Sequence, residues 1–134
     1  MKLLLMAQFY NLRVKDIYKE TADCSVVTFD VPDNLSKEFA YSQGQHLTLK
    51  AEINGEDVRR SYSLCSSPIE NKWQVAVKQI LGGKFSTYIN KEVKVGDEIE
   101  VMTPSGAFGV PVNSNASKNY LFFAAGSGIT PVMS

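Results

Sequence analysis

The chain has 134 residues, 44% of them apolar, which is enough for one domain with an ordinary hydrophobic core. Its 14 Lys and Arg residues balance 14 Asp and Glu residues, so the formal net charge is zero. A protein that grips a nucleic-acid backbone needs clustered basic residues, and this interleaved composition argues against that class of partner.

The N-terminus carries a short apolar run at residues 3–7, after Lys2. The run is shorter than the apolar core of a secretory signal and far shorter than a membrane span. We therefore expect a cytoplasmic protein with no membrane partner. The two cysteines, Cys24 and Cys65, have neither the spacing of metal ligands nor the number of a disulfide framework, so no metal site is expected.

Strands dominate the first two thirds of the chain. Alternating apolar and polar positions, rich in β-branched and aromatic residues, predict half-buried strands. The Asn54-Gly55 dipeptide predicts a tight hairpin between two of them, because both residues tolerate positive φ. The strand-like stretches are residues 9–31, which hold one strand or two, and residues 47–53, 58–65, 73–78 and 98–101.

One short helix is predicted between the last two of these strands. Phe85, Tyr88 and Ile89 are spaced i, i+3 and i+4, which indicates an amphipathic helix from about Lys84 to Lys91. Strands, tight turns and one helix favour an all-β, mainly antiparallel fold. We expect a six-stranded Greek-key β-barrel with one short helix.

The last part of the chain has a different pattern. A polar stretch at residues 113–119 precedes a continuously apolar run at residues 120–125, as in a parallel strand buried on both faces. Glycines and a proline follow at residues 126–131, as at the start of a nucleotide-binding βα unit. We expect a barrel domain at residues 1–112, a linker at 113–119 and, at 120–134, the first strand of a truncated α/β nucleotide-binding domain.

A strand of that kind needs neighbours on both edges and cover on both faces. We therefore expect the chain to be the first part of a longer polypeptide. An independent natural protein of this length is the least favoured alternative.

The first chemical motif is Arg-Ser-Tyr-Ser at residues 60–63. Arg60 and Tyr62 are two apart on a strand and point the same way, so a guanidinium can bind a diphosphate beside a phenol ring stacked on a flat heterocycle. The structural alternative is an exposed arginine near a core tyrosine. Ser63 points to the opposite face unless the strand twists, bulges or ends there.

The second motif is Gly-Gly-Lys-Phe-Ser at residues 82–86, which opens the predicted helix. Two glycines allow close backbone approach, and Ser86 lies in the first turn near free N–H groups. The alternative is a simple turn with Ser86 as a cap. Together the motifs suit a planar ring attached to phosphates, as in FAD; an FMN-binding relative and a barrel interaction module without flavin remain alternatives.

Two further polar residues are interpreted more plainly. His46, the only histidine, lacks the partners of a hydrolytic triad or metal site and is expected to be a packed or hydrogen-bonded strand residue. Lys78 is either a solvated strand position or a neighbour of a phosphate.

These motifs, in this order, resemble the ferredoxin–NADP⁺ reductase superfamily, with its Arg-x-Tyr-Ser flavin signature, its Gly-Gly-x-x-Ser phosphate loop and the Gly-x-Gly-x-x-Pro start of its nicotinamide domain. Residues 44–51, 59–65, 75–78 and 124–131 are similar to a subgroup that supplies electrons to oxygenases. The similarity runs through nearly the whole chain from about Phe9.

The resemblance implies a role for each matching residue. Arg60 contacts the FAD diphosphate, Tyr62 packs on the isoalloxazine, and Ser63 lies near flavin N5, which makes Tyr62 and Ser63 the catalytic positions. The other implied cofactor positions are His46, Val77, Lys78, Gly82, Gly83, Lys84, Phe85, Ser86 and Thr130. The implied first edge of the NAD(P)H site is formed by Gly126, Ser127, Gly128, Thr130 and Pro131.

The resemblance also implies a function. The chain is expected to be the FAD-binding domain of an NAD(P)H-dependent oxidoreductase that passes electrons through FAD to a [2Fe–2S] centre and on to an oxygenase component or ferredoxin-type acceptor. No ferredoxin-type cysteine cluster occurs in these residues. We therefore expect the iron–sulfur and nicotinamide domains to belong to a longer parent protein. By itself, this chain is expected at most to bind flavin.

Overall fold

The structure is a computed structural model that describes residues 8–134, so the prediction for residues 3–7 lies outside the described residues. The strands are β1 (Phe9–Thr21), β2 (Cys24–Asp30), β3 (His46–Ile53), β4 (Glu56–Ser63), β5 (Trp73–Lys78) and β6 (Glu98–Met102). The helices are α1 (Lys84–Lys91) and α2 (Ile129–Met133), with 3₁₀ turns at Asp33–Leu35, Pro68–Glu70 and Gly126–Gly128. Among the helices of the described residues, none has the length and apolarity needed to cross a bilayer.

The six strands form one antiparallel sheet in the order β4-β3-β6-β1-β2-β5. Its two edge strands meet at one antiparallel bridge, Leu64 to Val75, and the Cys65 N–H donates to the Gln74 carbonyl at 2.9 Å just beyond it. This closes the sheet into the predicted barrel. On the other side of the bridge β4 and β5 separate and leave a gap.

Local sequence explains the turns between neighbouring strands. The β3–β4 hairpin turns through Asn54 at φ 52° and Gly55 at φ 78°, the two positive values that a type I′ turn requires. The long run at residues 9–31 contains two strands joined at Ala22 and Asp23. β1 pairs with β6 through residues 9–13 and with β2 through residues 13–21, with an irregularity between Val14 and Asp16 in the second pairing.

The core lies inside the barrel and under one helix. Alternating residues of the strands point inward, and Val14, Leu49 and Val75 are fully buried. The helix α1 has the predicted bounds, and its Phe85 and Ile89 cover one end of the barrel at 1% exposure. The first helical residues therefore lie close to the gap between the edge strands.

The prediction of a strand at residues 120–125 is wrong for the described structure. These residues form no hydrogen-bonded ladder, and Leu121 and Phe123 are 80% and 90% exposed. A strand needs a partner for its backbone N–H and C=O groups, and no other strand of residues 8–134 pairs with this segment. The division of the chain into domains at residues 112 and 120 stays a prediction.

Candidate functional site

A cavity of about 570 Å³ lies in the gap between β4 and β5. Its volume is within the range of small-molecule and cofactor sites. Both edge strands and the C-terminal segment, residues 126–134, contribute to its walls. The lining residues are Ser61, Tyr62, Ser63, Ala76, Lys78, Gln79, Ile80, Ser127 and Thr130.

Tyr62 and Ser63 both reach this cavity although they are neighbours on one strand. A regular strand sends them to opposite faces, but β4 ends at Ser63 and the cavity runs along the edge of the strand. The ring of Tyr62 packs against Phe85 with centroids 6.1 Å apart, so it joins the strand motif to the helix motif. Burial raises the pKa of the Tyr62 phenol, an effect that Arg60 partly opposes.

Arg60 is exposed and immediately precedes Ser61, which lines the cavity, but Arg60 is not itself a lining residue. Its Nη1 donates to the Arg59 carbonyl at 2.6 Å, and within residues 8–134 it forms no ion pair. Arg59 points the other way, where it pairs with Asp57 at 3.1 Å and lies over the ring of Phe9. Of these two adjacent arginines, Arg60 is the one available to an anion.

The glycine motif forms a tight turn that follows Ile80, which lines the cavity, although the glycines themselves do not line it. Gly82 has φ 74°, and the Gly83 N–H closes the turn onto the Ile80 carbonyl at 2.9 Å. Gly83 is also the N-cap of α1, and no side chain of the described residues caps this helix end. The first backbone N–H groups of a helix have no intrahelical partner, so they are available to an anion.

The Ser86 side chain stabilises this turn by a hydrogen bond. It is 5% exposed, and its Oγ accepts the Ile80 N–H at 3.0 Å. A Cβ on Gly83 would lie 2.6 Å from the same oxygen, so the turn fits only a glycine there. The hydroxyl predicted to hold a phosphate is thus already engaged with the backbone of the turn.

Other predicted positions contribute backbone or charge. Phe85 and Val77 are 1% and 0% exposed, so their side chains belong to the core and only their backbone can face a ligand. Lys84 pairs with Glu56 of the β3–β4 hairpin. Lys78 lines the cavity with its Nζ 3.6 Å from Asp23.

His46 lies beside the site rather than in its wall. It pairs with Ser63 across β3 and β4, and its Nε2 is 3.2 Å from the Ser105 Oγ. This is the hydrogen-bonded strand residue that the sequence indicates.

The C-terminal segment contributes two of the predicted nicotinamide positions. Ser127 and Thr130 line the cavity, and the Thr130 hydroxyl donates to the Ser127 carbonyl at 2.8 Å. Pro131 lines a separate apolar cavity with Phe108. Gly126 and Gly128 have open space around them.

Sequence reasoning missed four lining residues: Ser61, Ala76, Gln79 and Ile80. Ala76 and Ser61 are the small outward-facing members of their strands, and Gln79 and Ile80 connect β5 to the glycine turn. The only signal that could have identified these four residues is their place in the sequence, because each lies beside or between the predicted motif residues.

In the part of the chain that the structure describes, the cavity therefore has an aromatic ring in its wall. Arg60, which forms no ion pair, and the uncapped start of α1 do not line the cavity but lie close in the chain to residues that do. This combination fits a planar ring that carries phosphates. A family model described as an oxidoreductase FAD-binding domain matches residues 11–109 of the chain. The chain belongs to this family of FAD-binding domains.

Relatives of this FAD-binding domain include components of oxygenases. It is 44% identical over 128 residues to a component of the 1,2-phenylacetyl-CoA epoxidase from Escherichia coli (strain K12), covering 96% of this chain and 36% of that protein. It is 39% identical over 125 residues to the ferredoxin reductase component of 3-ketosteroid-9-alpha-monooxygenase from Rhodococcus rhodochrous, covering 92% of this chain and 35% of that protein.

A solved structure supports the same family. Phthalate dioxygenase reductase, described as a modular structure for electron transfer from pyridine nucleotides to [2Fe-2S], matches with a TM-score of 0.73 and 27% identity, covering 93% of this chain and 37% of its own. The FAD-binding domain thus spans about a third of the length of these relatives, as the 36% and 35% coverages show.

Proposed function

We propose that this domain holds the FAD of a cytoplasmic NAD(P)H-dependent reductase that passes electrons through an iron–sulfur centre to an oxygenase component. Three relatives support the proposal, because their names or descriptions place them as an epoxidase component, a monooxygenase ferredoxin reductase component and a carrier of electrons to [2Fe-2S]. The highest identity among these three, 44%, favours an oxygenase that acts on phenylacetyl-CoA or a similar thioester.

The observation that carries the proposal is the contact between the two motifs, in which the ring of Tyr62, a lining residue of the cavity, packs against Phe85 with centroids 6.1 Å apart. Arg60 precedes the lining residue Ser61 in the chain and forms no ion pair with any described residue. Gly83 is the N-cap of α1, whose first backbone N–H groups have no side-chain cap among the described residues. In the proposal Tyr62 packs on the flavin ring, Arg60 and the helix N–H groups bind the diphosphate, and Ser63 lies beside the reacting edge of the ring.

The bound flavin would supply the chemistry, since it accepts a hydride and releases electrons singly. The side chains of this domain would orient the ring and neutralise the diphosphate. Ser127 and Thr130, which also line the cavity, would begin the surface against which the nicotinamide approaches.

The test is a flavin titration with two adjacent arginines as a matched pair. Arg60→Ala should weaken FAD binding by at least tenfold, because a charge-assisted hydrogen bond contributes roughly 1.5–3 kcal/mol. Arg59→Ala should leave the FAD affinity within about twofold, because Arg59 points away to Asp57 and Phe9. Flavin fluorescence quenching gives both dissociation constants.

Two outcomes would count against the proposal. If saturating FAD neither binds to the wild-type chain nor raises its melting temperature, the chain does not act as a flavin domain, because a ligand of the folded state must stabilise it. If both arginine variants bind FAD equally well, the role of Arg60 is wrong. Tighter binding of FMN than of FAD would favour the FMN-binding alternative.

A further inference from the structure

Asn90 is a buried polar residue outside the motifs discussed so far. It lies one helical turn after Ser86 in α1 and is 9% exposed. Its Nδ2 donates to the Val77 carbonyl at 2.8 Å and to the Ser86 carbonyl at 2.9 Å. Because carbonyl oxygens only accept, these two bonds fix the orientation of the amide.

The other side of the same amide is also engaged. Its Oδ1 accepts from the Ser25 hydroxyl at 2.8 Å and from Lys19 Nζ at 2.8 Å. Two donated and two accepted bonds use the full capacity of an asparagine side chain. One side chain thus connects β1, β2, the end of β5 and the first turns of α1.

The two donated bonds end on residues near the cavity lining. Val77 precedes Lys78, which lines the cavity from β5. The Oγ of Ser86 in turn accepts the Ile80 N–H, and this bond supports the turn that precedes the helix. Asn90 therefore connects the end of β5 to the first turn of α1 through two direct hydrogen bonds.

We infer that Asn90 is a positioning residue for phosphate binding, which holds the glycine turn and the start of α1 in register with the end of β5. The inference rests on the proposed flavin function. It assigns Asn90 an effect on the phosphate-bearing part of the ligand, because the ring-binding side of the cavity is formed by Tyr62, whose backbone is held in β4 by its pairing with Leu47 of β3.

The two sides of the amide can be tested separately. Asn90→Asp removes the donors to Val77 and Ser86 and keeps an acceptor for Ser25 and Lys19, whereas Ser25→Ala removes one accepted bond and keeps both donors. Each protein is titrated with FAD and with riboflavin, which has the ring without phosphates. Thermal unfolding is measured for each without ligand.

Asn90→Asp should weaken FAD binding by tenfold or more and change riboflavin binding by less than about twofold. Ser25→Ala should lower the melting temperature and keep the wild-type ratio of FAD to riboflavin affinity. An equal loss for both ligands in Asn90→Asp, or a wild-type ratio, would overturn the inference, since a merely structural role affects both ligands alike. Failure of the wild-type chain to bind FAD would instead reject the proposed function.

A second measurement uses the wild-type protein, whose folding is not in question. Hydrogen exchange of the Asn90 side-chain amide and of the Ile80 backbone N–H should slow when FAD is added, by several-fold more than with riboflavin. Equal protection by both ligands, or none by FAD once FAD is bound, would show that phosphate binding does not act through Asn90.

Discussion

Backbone conformation at single glycines determines the shape of the turn that precedes α1. Gly82 and Gly55 share almost the same backbone angle, φ 74° and φ 78°, and a Cβ at either position would meet nothing within 4 Å. They differ only in place, because Gly55 is in the β3–β4 hairpin and Gly82 precedes α1. The two positions therefore separate the cost of backbone strain from the effect on binding.

We predict that Gly82→Ala and Gly55→Ala lower the stability by a similar amount, about 1–2 kcal/mol, because each forces a Cβ into the left-handed region. Only Gly82→Ala should also weaken FAD binding, by about fivefold or more, because relief of the strain shifts the N–H groups at the helix start. Urea denaturation and flavin titration measure the two effects. Equal FAD affinity in both variants would show that the turn does not contact the ligand.

At the scale of elements, the cavity exists because two strand edges touch once and then separate. Ser66, 2% exposed, follows the Leu64–Val75 bridge and secures it. Its Oγ donates to the Lys72 carbonyl at 2.8 Å, accepts the Gln74 N–H at 3.2 Å and lies 2.9 Å from the Tyr41 hydroxyl. This serine thus ties the end of β4 to the start of β5.

Ser66→Ala is predicted to destabilise the protein by roughly 1–3 kcal/mol, because it leaves buried backbone groups and the Tyr41 hydroxyl with fewer partners. The control is Ser67→Ala, next in the chain and only half-buried, which should change the stability by less than about 0.5 kcal/mol. Urea denaturation of both variants measures the difference. A Ser66→Ala variant as stable as the control would mean that the barrel is closed by other contacts.

Local patterns in the sequence predict the elements well and the gap between them poorly. The hairpin at Asn54-Gly55 and the helix Lys84–Lys91 follow from turn chemistry and periodicity, which involve only neighbouring residues. The gap depends on which strands become the edges of the sheet. That order, β4-β3-β6-β1-β2-β5, arises from pairings between distant residues. Periodicity puts Ser63 and Tyr62 on opposite faces of a regular strand, and both line the cavity because β4 ends there.

At the scale of the whole molecule, the barrel is compactly filled while residues 120–123 lie open to solvent. Tyr120, Leu121, Phe122 and Phe123 are between 54% and 90% exposed. Their continuous apolar pattern resembles that of a doubly covered strand, and a strand forms only where partners exist. The apolar pattern therefore indicates strand partners that the other residues of 8–134 do not provide.

Exposed apolar clusters of this kind promote association. We predict that Leu121→Lys combined with Phe123→Lys lowers the self-association of the chain, and its binding of a hydrophobic dye, by at least severalfold while the melting temperature stays within about 1 °C, since neither side chain is buried. The control Val95→Lys changes a single exposed apolar residue on the barrel and should alter neither property. Sedimentation velocity measures the association; an unchanged profile in the double variant would show that this segment is not the contact.

The single bridge between β4 and β5 has a consequence for how the chain folds. Those two strands lie at opposite edges of the sheet, yet they are close in sequence, and with the helix start they form one continuous stretch from Arg60 to Ser86. The long-range cost falls elsewhere, because β1 and β6 must bring Phe9 to Met102 and so close most of the chain into a loop. Neither of those strands contributes a residue to the cavity wall. The pairing with the largest loop-closure cost is thus separate from the stretch that supplies seven of the nine residues that line the cavity.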